Sequence, residues 1–322
     1  MTSLPLAHAP GESAMLRDVR ACLSMPQKEL SPKYFYDHRG SELFEAITAL
    51  PEYYLTRAER SILERDMDAL MRGMRAATLV ELGAGSAAKT RRILDAMRSA
   101  GTLECYVPLD VSASFLAETA SRLRGEYEGL RVEPVVADFT ERVPLPMSLP
   151  RPALVAFLGS TIGNFHPMEA VRLLRRARAA MVTGDRFLLG ADLRKDVSRL
   201  ERAYDDPGGV TAEFNRNVLR VLNRELGADF DEAEFAHRAL YNADEHRIEM
   251  HLVARTPQRV AIPGAGTFHF AAGETVRTEI SCKYDRATVY DLLASAGLRL
   301  DTWHTDDAGD FALVVASRAE DR

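Results

Sequence analysis

The chain has 322 residues, 46% of them hydrophobic, which is enough to bury the core of one large unit or of two. Its formal net charge of -6 gives no whole-protein reason to bind nucleic acid or an anionic membrane, and we expect neither partner. The three cysteines lie far apart and in no C-x-x-C pair, which argues against a disulfide framework or a zinc knuckle and fits a reducing compartment.

The sequence has no segment typical of secretion or of a membrane span. Residues 1–15 lack a basic start followed by an apolar stretch, and no later stretch is apolar for long enough to cross a bilayer. His166, His246 and His251 do not have the spacing of metal ligands. We therefore expect a cytoplasmic monomer that holds no metal.

The first sixty residues differ from the rest of the chain because they show no alternation of strand and helix patterns. Residues 34–37 (Tyr-Phe-Tyr-Asp) and 50–54 (Leu-Pro-Glu-Tyr-Tyr) are dense in tyrosine. Residues 56–59 have the spacing of a capping box, which predicts that a helix starts at Thr56 and that Glu59 closes the box. The apolar face of that helix would contain Ile62, Leu63, Met67, Leu70, Met71 and Met74.

From about Thr78 onward, short apolar runs alternate with helical patterns, which is typical of βαβ units and a mostly parallel sheet. The predicted strands are residues 79–82, 106–109, 132–136, 154–158 and 187–189. This order predicts a doubly wound, Rossmann-like α/β sheet.

The alternation of strands and helices stops after Asp192. A helical stretch at residues 210–226 leads into strand-like alternation at 247–253 and 275–281. Asp285 then caps a helix that Gly297 closes, and residues 311–315 return to the sheet. We therefore predict a second, α+β domain from residues 1–60 and 196–284, and a sheet domain from residues 61–195 and 285–322.

The turn after the first predicted strand, Glu-Leu-Gly-Ala-Gly-Ser-Ala-Ala-Lys-Thr at residues 81–90, fits three ligand classes. It contains a G-x-G-x-x-A dinucleotide turn, and it is one glycine short of a phosphate loop because Ala88 precedes Lys89. Glu81 would repel phosphates, but it suits S-adenosylmethionine, which carries an ammonium and a sulfonium group. A glycine turn that binds no ligand is the fourth alternative.

The ends of the other parallel strands favour S-adenosylmethionine. Asp110 can accept both ribose hydroxyls, Asp138 can accept the adenine amino group, and the Phe139 ring can lie against the base. The glycines of the loop at residues 159–165 allow the backbone to approach a ligand. A nicotinamide enzyme would also use Asp110, but no hydride-transfer partner follows it.

Five segments resemble the histidine Nα-methyltransferase family of ergothioneine biosynthesis, whose members make hercynine. They are residues 34–37, 50–54, 81–86, 157–165 and 278–281, and the resemblance covers nearly the whole chain. It implies the class I methyltransferase form of the doubly wound sheet, S-adenosylmethionine as methyl donor and L-histidine as substrate. The same fold hosts enzymes that methylate an indole-bearing amino acid, so a tryptophan derivative is the alternative substrate.

The resemblance also implies the site residues. The cofactor would contact Gly83, Lys89, Asp110, Asp138 and Phe139, and the substrate pocket would contain Tyr53, Gly159, Asn164, Tyr204, Met250, Glu279 and Ser281. Within that pocket, Tyr53, Asn164 and Tyr204 would hold the carboxylate and amine, and Glu279 and Ser281 would bind the imidazole. Glu279 and Ser281 are two residues apart on a predicted strand, so that both side chains point to one face.

Two other functions remain to be separated from methyl transfer. A P-loop-like nucleotide hydrolase would bind ATP with magnesium, whereas a methyltransferase would bind S-adenosylhomocysteine. A regulatory protein would bind the cofactor without catalysis, which the complete set of tyrosines and Glu279 argues against.

Overall fold

The structure is a computed structural model that describes residues 13–84, 89–146 and 148–319, without the side chains of Ser114 and Phe115. The chain divides into two compact units. The smaller contains Met1–Tyr53 and Asp196–Ile280, and the larger contains Tyr54–Lys195 and Ser281–Arg322. Among the described residues, no helix has the length and apolar character needed to cross a bilayer.

In chain order, the helices are α1 (Ala14–Leu23), α2 (His38–Ala49), α3 (Leu55–Met74), α4 (Thr90–Ser99), α5 (Ala113–Glu126), α6 (Pro167–Ala180), α7 (Val197–Tyr204), α8 (Val210–Leu226) and α9 (Arg286–Ser295). Short 3₁₀ helices cover Pro32–Phe35, Thr161–Asn164 and Glu232–Glu234. The strands are β1 (Lys28–Glu29), β2 (Thr78–Leu82), β3 (Cys105–Asp110), β4 (Arg131–Val132), β5 (Val135–Val136), β6 (Ala153–Phe157), β7 (Arg186–Asp192), β8 (Phe235–Asn242), β9 (Arg247–Ala254), β10 (Gln258–Ile262), β11 (Gly266–Phe270), β12 (Thr275–Cys282), β13 (Leu298–Thr305) and β14 (Phe311–Arg318).

The larger unit is built on a sheet in the order β13-β14-β7-β6-β2-β3-β4, with β5 also paired to β3. Strands β2, β3, β4, β5, β6 and β7 pair in parallel, and β14 runs antiparallel to β7. The predicted doubly wound α/β fold is thereby confirmed. The strand order reverses at β2, because β3 lies on one side of it and β6 on the other. Ligands of such sheets bind beyond the carboxyl ends of the strands at this reversal. The residues after Leu82 are therefore expected to line a ligand site.

The central strands are apolar because they are buried on both faces. Every residue of β2 and of β6 is buried, as expected for parallel strands covered by helices on either side. Helix α3 contributes Ile62, Leu63 and Met67 to the same core, which confirms the predicted apolar face of this helix.

Two details of the predicted elements were wrong. The capping box is absent, because α3 begins at Leu55 with Tyr54 at its cap position, so that Thr56 already lies within the first turn. The predicted strand at residues 132–136 is two short strands, β4 and β5, separated at Pro134, which has no N–H to donate to a strand ladder.

The smaller unit has a four-stranded sheet in the order β1-β12-β9-β8 and a separate hairpin of β10 and β11. Strands β8 and β9 pair antiparallel, whereas β1 pairs in parallel with β12. Helix α8 coincides with the predicted helix at residues 210–226. The rings of Phe35 and Phe214 have centroids 4.6 Å apart, so α8 and the N-terminal segment share an aromatic core. That this unit binds the substrate, with boundaries at residues 60, 196 and 284, stays a prediction.

Candidate active site

The glycine turn after β2 brings backbone and an aromatic ring together. Gly83 has φ of 70°, a conformation that favours glycine. A β-carbon at this position would lie 3.5 Å from the Phe139 ring, an ordinary contact distance, so Gly83 lies directly against that ring. The next four residues of the motif, 85–88, lie outside the described residues. The structure thus places Gly83 and Phe139, two predicted cofactor contacts, next to each other.

Glu81 has an internal role at the end of β2. Its buried Oε2 atom accepts hydrogen bonds from the Thr90 hydroxyl and the Tyr106 hydroxyl, both at 2.6 Å. Burial raises the pKa of the Glu81 carboxyl to about 7. This carboxyl group therefore joins β2 to the first turn of α4 and to β3. Its predicted attraction for a cationic cofactor stays a prediction.

Two half-buried carboxylates lie at the carboxyl ends of neighbouring strands, Asp110 as the last residue of β3 and Asp138 two residues after β5. Asp110 Oδ1 accepts a hydrogen bond from the Ser112 backbone N–H at 3.1 Å. Asp138 Oδ1 accepts hydrogen bonds from the Thr140 backbone N–H at 2.8 Å and from its hydroxyl at 2.5 Å. The Ala137 N–H donates to the Asp110 carbonyl at 3.0 Å, which keeps the two strand ends side by side. The sheet thereby presents two oriented acceptors at one edge.

Glu59 contacts two of the predicted site residues, a role that was not predicted from the sequence. Its fully buried carboxylate accepts a hydrogen bond from the Gly159 backbone N–H at 2.8 Å and forms an ion pair with the Lys89 ammonium group. Gly159 itself has φ of 74°. Lys89, a predicted cofactor contact, and Gly159, a predicted substrate contact, are therefore held by one carboxylate. The signal was the position of Glu59 three and four residues before Ile62 and Leu63, on the apolar face of its own helix.

Gly190 on β7 gives the Glu59 carboxylate its space, and this leads to a stability prediction. A methyl group at residue 190 would overlap Glu59 Oε1 and lie 3.1 Å from the Phe311 ring. Gly190→Ala should therefore lower the free energy of unfolding by about 1 to 3 kcal/mol, the usual effect of overpacking. Urea denaturation followed by circular dichroism measures it.

Gly73 provides the matched control because a β-carbon there would meet nothing within 4 Å. Gly73→Ala, within helix α3, should raise stability by up to about 1 kcal/mol, since alanine is the better helix former. Equal stabilities of the two variants would contradict the placement of Glu59 against Gly190.

The loop after β6 packs against the end of β12. Its 3₁₀ helix contains Asn164, and Ser160 before it has φ of 58°. A β-carbon on Gly163 would lie 2.9 Å from the Cys282 carbonyl oxygen and 3.5 Å from Ser281 Oγ. Gly163 thus permits a close approach between this loop and the end of β12. That the loop glycines also let the backbone approach a ligand stays a prediction. The loop that carries Asn164 lies beside Ser281.

In the smaller unit, two of the predicted substrate residues are in contact. The rings of Tyr53 and Tyr204 are buried and their centroids lie 6.2 Å apart in an edge-on arrangement. The Tyr204 carbonyl oxygen is 2.8 Å from His237 Nε2, which anchors the end of α7. Both tyrosines also take part in further interactions. The two hydroxyl-bearing rings therefore form one cluster.

Met250 and Glu279 lie on the adjacent strands β9 and β12. The Met250 side chain is buried and Glu279 is half-buried. The Thr278 hydroxyl donates to the Met250 carbonyl at 3.1 Å, which links the two strands beside Glu279. Among the described residues, no group of three histidine, cysteine or acidic side chains is arranged to hold a metal ion.

Comparison with known proteins gives a consistent result. Residues 15–318 match the family described as "Histidine-specific methyltransferase, SAM-dependent". The chain is 49% identical over 316 residues to the histidine N-alpha-methyltransferase of Mycobacterium tuberculosis, which covers 97% of this chain and 98% of that protein. It is 49% identical over 314 residues to the Mycolicibacterium smegmatis protein of the same name, with the same coverage. Ergothioneine biosynthesis protein 1 of Schizosaccharomyces pombe is 27% identical over 307 residues, which are 92% of this chain and 40% of that protein.

Proposed function

The chain belongs to the family of S-adenosylmethionine-dependent, histidine-specific methyltransferases, and from this we propose that it methylates the α-amine of L-histidine three times and forms hercynine, the first step of ergothioneine biosynthesis. The observation that carries the proposal is the near full-length identity of 49% to a histidine N-alpha-methyltransferase. A nucleotide hydrolase is set aside because the family match covers the glycine turn as well as the rest of the chain.

The cofactor set fits S-adenosylmethionine chemically. Asp110 and Asp138 offer carboxylate acceptors for ribose hydroxyls and an adenine amino group, and Phe139 offers an aromatic face beside the side-chain-free Gly83. Lys89, paired with Glu59, would complete the contacts. When bound, S-adenosylmethionine supplies an activated methyl group on a sulfonium centre, and the protein contributes binding and alignment.

The chain's own residues must present a neutral α-amine in line with the methyl group. We assign this positioning to Tyr53, Asn164 and Tyr204, whose hydroxyl and amide groups can exchange hydrogen bonds as the amine gains methyl groups. None of the three is a strong base, so the amine proton leaves to solvent before each transfer. Gly159 and Met250 would complete the walls of the pocket.

Glu279 and Ser281 are proposed to select the imidazole. A carboxylate accepts the ring N–H in a charge-assisted hydrogen bond, and leaving that carboxylate without a donor is costly. The alternative substrate, a tryptophan derivative, would meet the same two groups with an indole ring.

Product analysis tests the proposed function. Purified protein incubated with S-adenosylmethionine and L-histidine should form hercynine and three equivalents of S-adenosylhomocysteine, both quantified by mass spectrometry. Methyl groups located on a ring nitrogen by NMR, or accumulation of the monomethyl product alone, would contradict it.

A further inference from the structure

Lys283, directly after β12, is a buried lysine that contacts a predicted substrate residue. Its ammonium group donates a hydrogen bond to Ser281 Oγ at 2.8 Å and lies 2.7 Å from Asp192 Oδ2. Ser281 and Lys283 are two residues apart in extended backbone, so their side chains lie on the same side of the chain. Both side chains are almost completely buried. The pair is therefore shielded from water. In such a buried environment a hydrogen bond is strong and its loss is costly.

Asp192, at the end of β7, forms a buried ion pair with Lys283. Its fully buried carboxylate accepts hydrogen bonds from the Tyr54 hydroxyl at 2.8 and 2.9 Å and also pairs with Lys195. A buried ammonium group needs an opposite charge in direct contact, and the Asp192 carboxylate provides it here.

Main-chain hydrogen bonds also join the segment that carries Lys283 to the end of β7. The Tyr284 N–H donates to the Asp192 carbonyl at 2.9 Å, and the Arg194 N–H donates to the Tyr284 carbonyl at 2.8 Å. Lys283 is therefore fixed beside the end of β7 by main-chain bonds on the residue that follows it.

An ammonium group has hydrogens to donate and no lone pair with which to accept, so Ser281 Oγ must be the acceptor in its contact with Lys283. The hydroxyl proton of Ser281 then points away from Lys283 and toward another acceptor. We propose that Lys283 is a positioning residue for substrate recognition: it makes Ser281 a hydrogen-bond donor to the unprotonated ring nitrogen of histidine. This inference rests on the proposed function and specifies how the substrate pocket recognises the imidazole ring.

The consequence is a requirement for one donor and one acceptor on the substrate ring. Glu279 accepts an N–H, and Ser281 donates to a lone pair, which together match a neutral imidazole in a single tautomer. Indole has an N–H but no ring nitrogen that accepts, so tryptophan cannot accept a hydrogen bond from the Ser281 hydroxyl. A site built around polar partners rejects such analogues strongly. Lys283 therefore contributes to the choice of histidine over tryptophan without touching either one.

A double-mutant cycle on the full-length protein tests whether Lys283 acts through Ser281. The variants are Lys283→Met, Ser281→Ala and the double variant, and calorimetry measures the Kd of L-histidine in the presence of S-adenosylhomocysteine. Lys283→Met should raise Kd about tenfold, the scale of one buried hydrogen bond, and should add no more than about twofold in the Ser281→Ala background. A tenfold effect that persists in that background would overturn the inference.

Lys195→Met is the matched control because Lys195 shares the Asp192 carboxylate and also donates to the Tyr54 hydroxyl at 2.7 Å. It should leave the Kd of histidine within about twofold of wild type, since it removes an ion-pair partner of Asp192 and keeps the Lys283 donor. An equal loss in Lys195→Met and Lys283→Met would assign the effect to Asp192 and overturn the role of Lys283.

A measurement on the wild-type protein covers the case in which Lys283→Met does not fold. Histidine labelled with ¹⁵N in the ring, bound together with S-adenosylhomocysteine, should show one protonated nitrogen and one unprotonated nitrogen that accepts a hydrogen bond. Two protonated nitrogens would overturn the inference while leaving the methyltransferase function intact. Failure of histidine to bind at all would overturn the proposed function, and this inference with it.

Discussion

Glu279→Ala should lower kcat/KM for L-histidine by roughly 2 to 3 kcal/mol, which is about 30- to 150-fold, the scale of one lost charge-assisted hydrogen bond. Glu279 is half-buried on β12, two residues before the buried Ser281, so its carboxylate is costly to leave without a donor. Alanine removes both the acceptor and the charge that an apolar ring would face. Steady-state kinetics at saturating S-adenosylmethionine measure the change.

The same variant should narrow the preference for histidine over tryptophan, because volume is released and the carboxylate is gone. Glu279→Gln is the control, since its amide oxygen can still accept the imidazole N–H. This variant should keep part of the activity that Glu279→Ala loses. If Glu279→Ala leaves the ratio of kcat/KM for histidine and tryptophan unchanged, Glu279 does not recognise the imidazole ring.

Asp110→Ala should weaken the binding of S-adenosylmethionine by tens of fold or more, because a bidentate carboxylate contact to two ribose hydroxyls contributes on the order of 2 to 3 kcal/mol. Asp110 lies at the carboxyl end of β3, beside the point where the strand order reverses. Titration calorimetry with S-adenosylmethionine and with S-adenosylhomocysteine measures both affinities.

Asp110→Asn separates the ligand contact from the local backbone contact. Asparagine can still accept the Ser112 N–H, as Asp110 does at 3.1 Å, but it offers one oxygen in place of two. An intermediate loss in Asp110→Asn is expected. Unchanged affinity in a folded Asp110→Ala variant would remove Asp110 from the cofactor site.

Local patterns predicted much of the fold because they are set by residues close in sequence. The continuous apolar runs of β2 and β6 indicated strands buried on both faces, and Asp285 caps α9 by accepting the Thr288 N–H at 2.7 Å, as its position indicated. The error at Thr56 has a local cause as well. Sequence patterns place helix ends only to within one or two residues. The helix begins at Leu55, on the N-terminal side of the start that the capping pattern indicated.

The polar contacts around the candidate site were not predictable because they join distant parts of the chain. Glu59 meets the Gly159 N–H across 100 residues and Lys89 across 30. Nothing in the sequence marks Lys283, and its contact with Asp192 follows only from the pairing of Tyr284, the next residue, with the end of β7. Gly190 likewise has no local signal, since its need arises from the carboxylate that lies over it. The assignment of the individual cofactor and substrate contacts remains a prediction.

A competition assay tests the central claim, Nα-methylation selective for histidine, most directly. Purified wild-type protein would receive limiting S-adenosylmethionine and equal concentrations of L-histidine, L-tryptophan, L-tyrosine and L-phenylalanine, and mass spectrometry would count methyl groups on each. Hercynine should account for nearly all transferred methyl groups, with histidine preferred over phenylalanine by several orders of magnitude, because phenylalanine offers Glu279 and Ser281 neither a donor nor an acceptor. Methylation of tryptophan or tyrosine as fast as that of histidine would contradict the account.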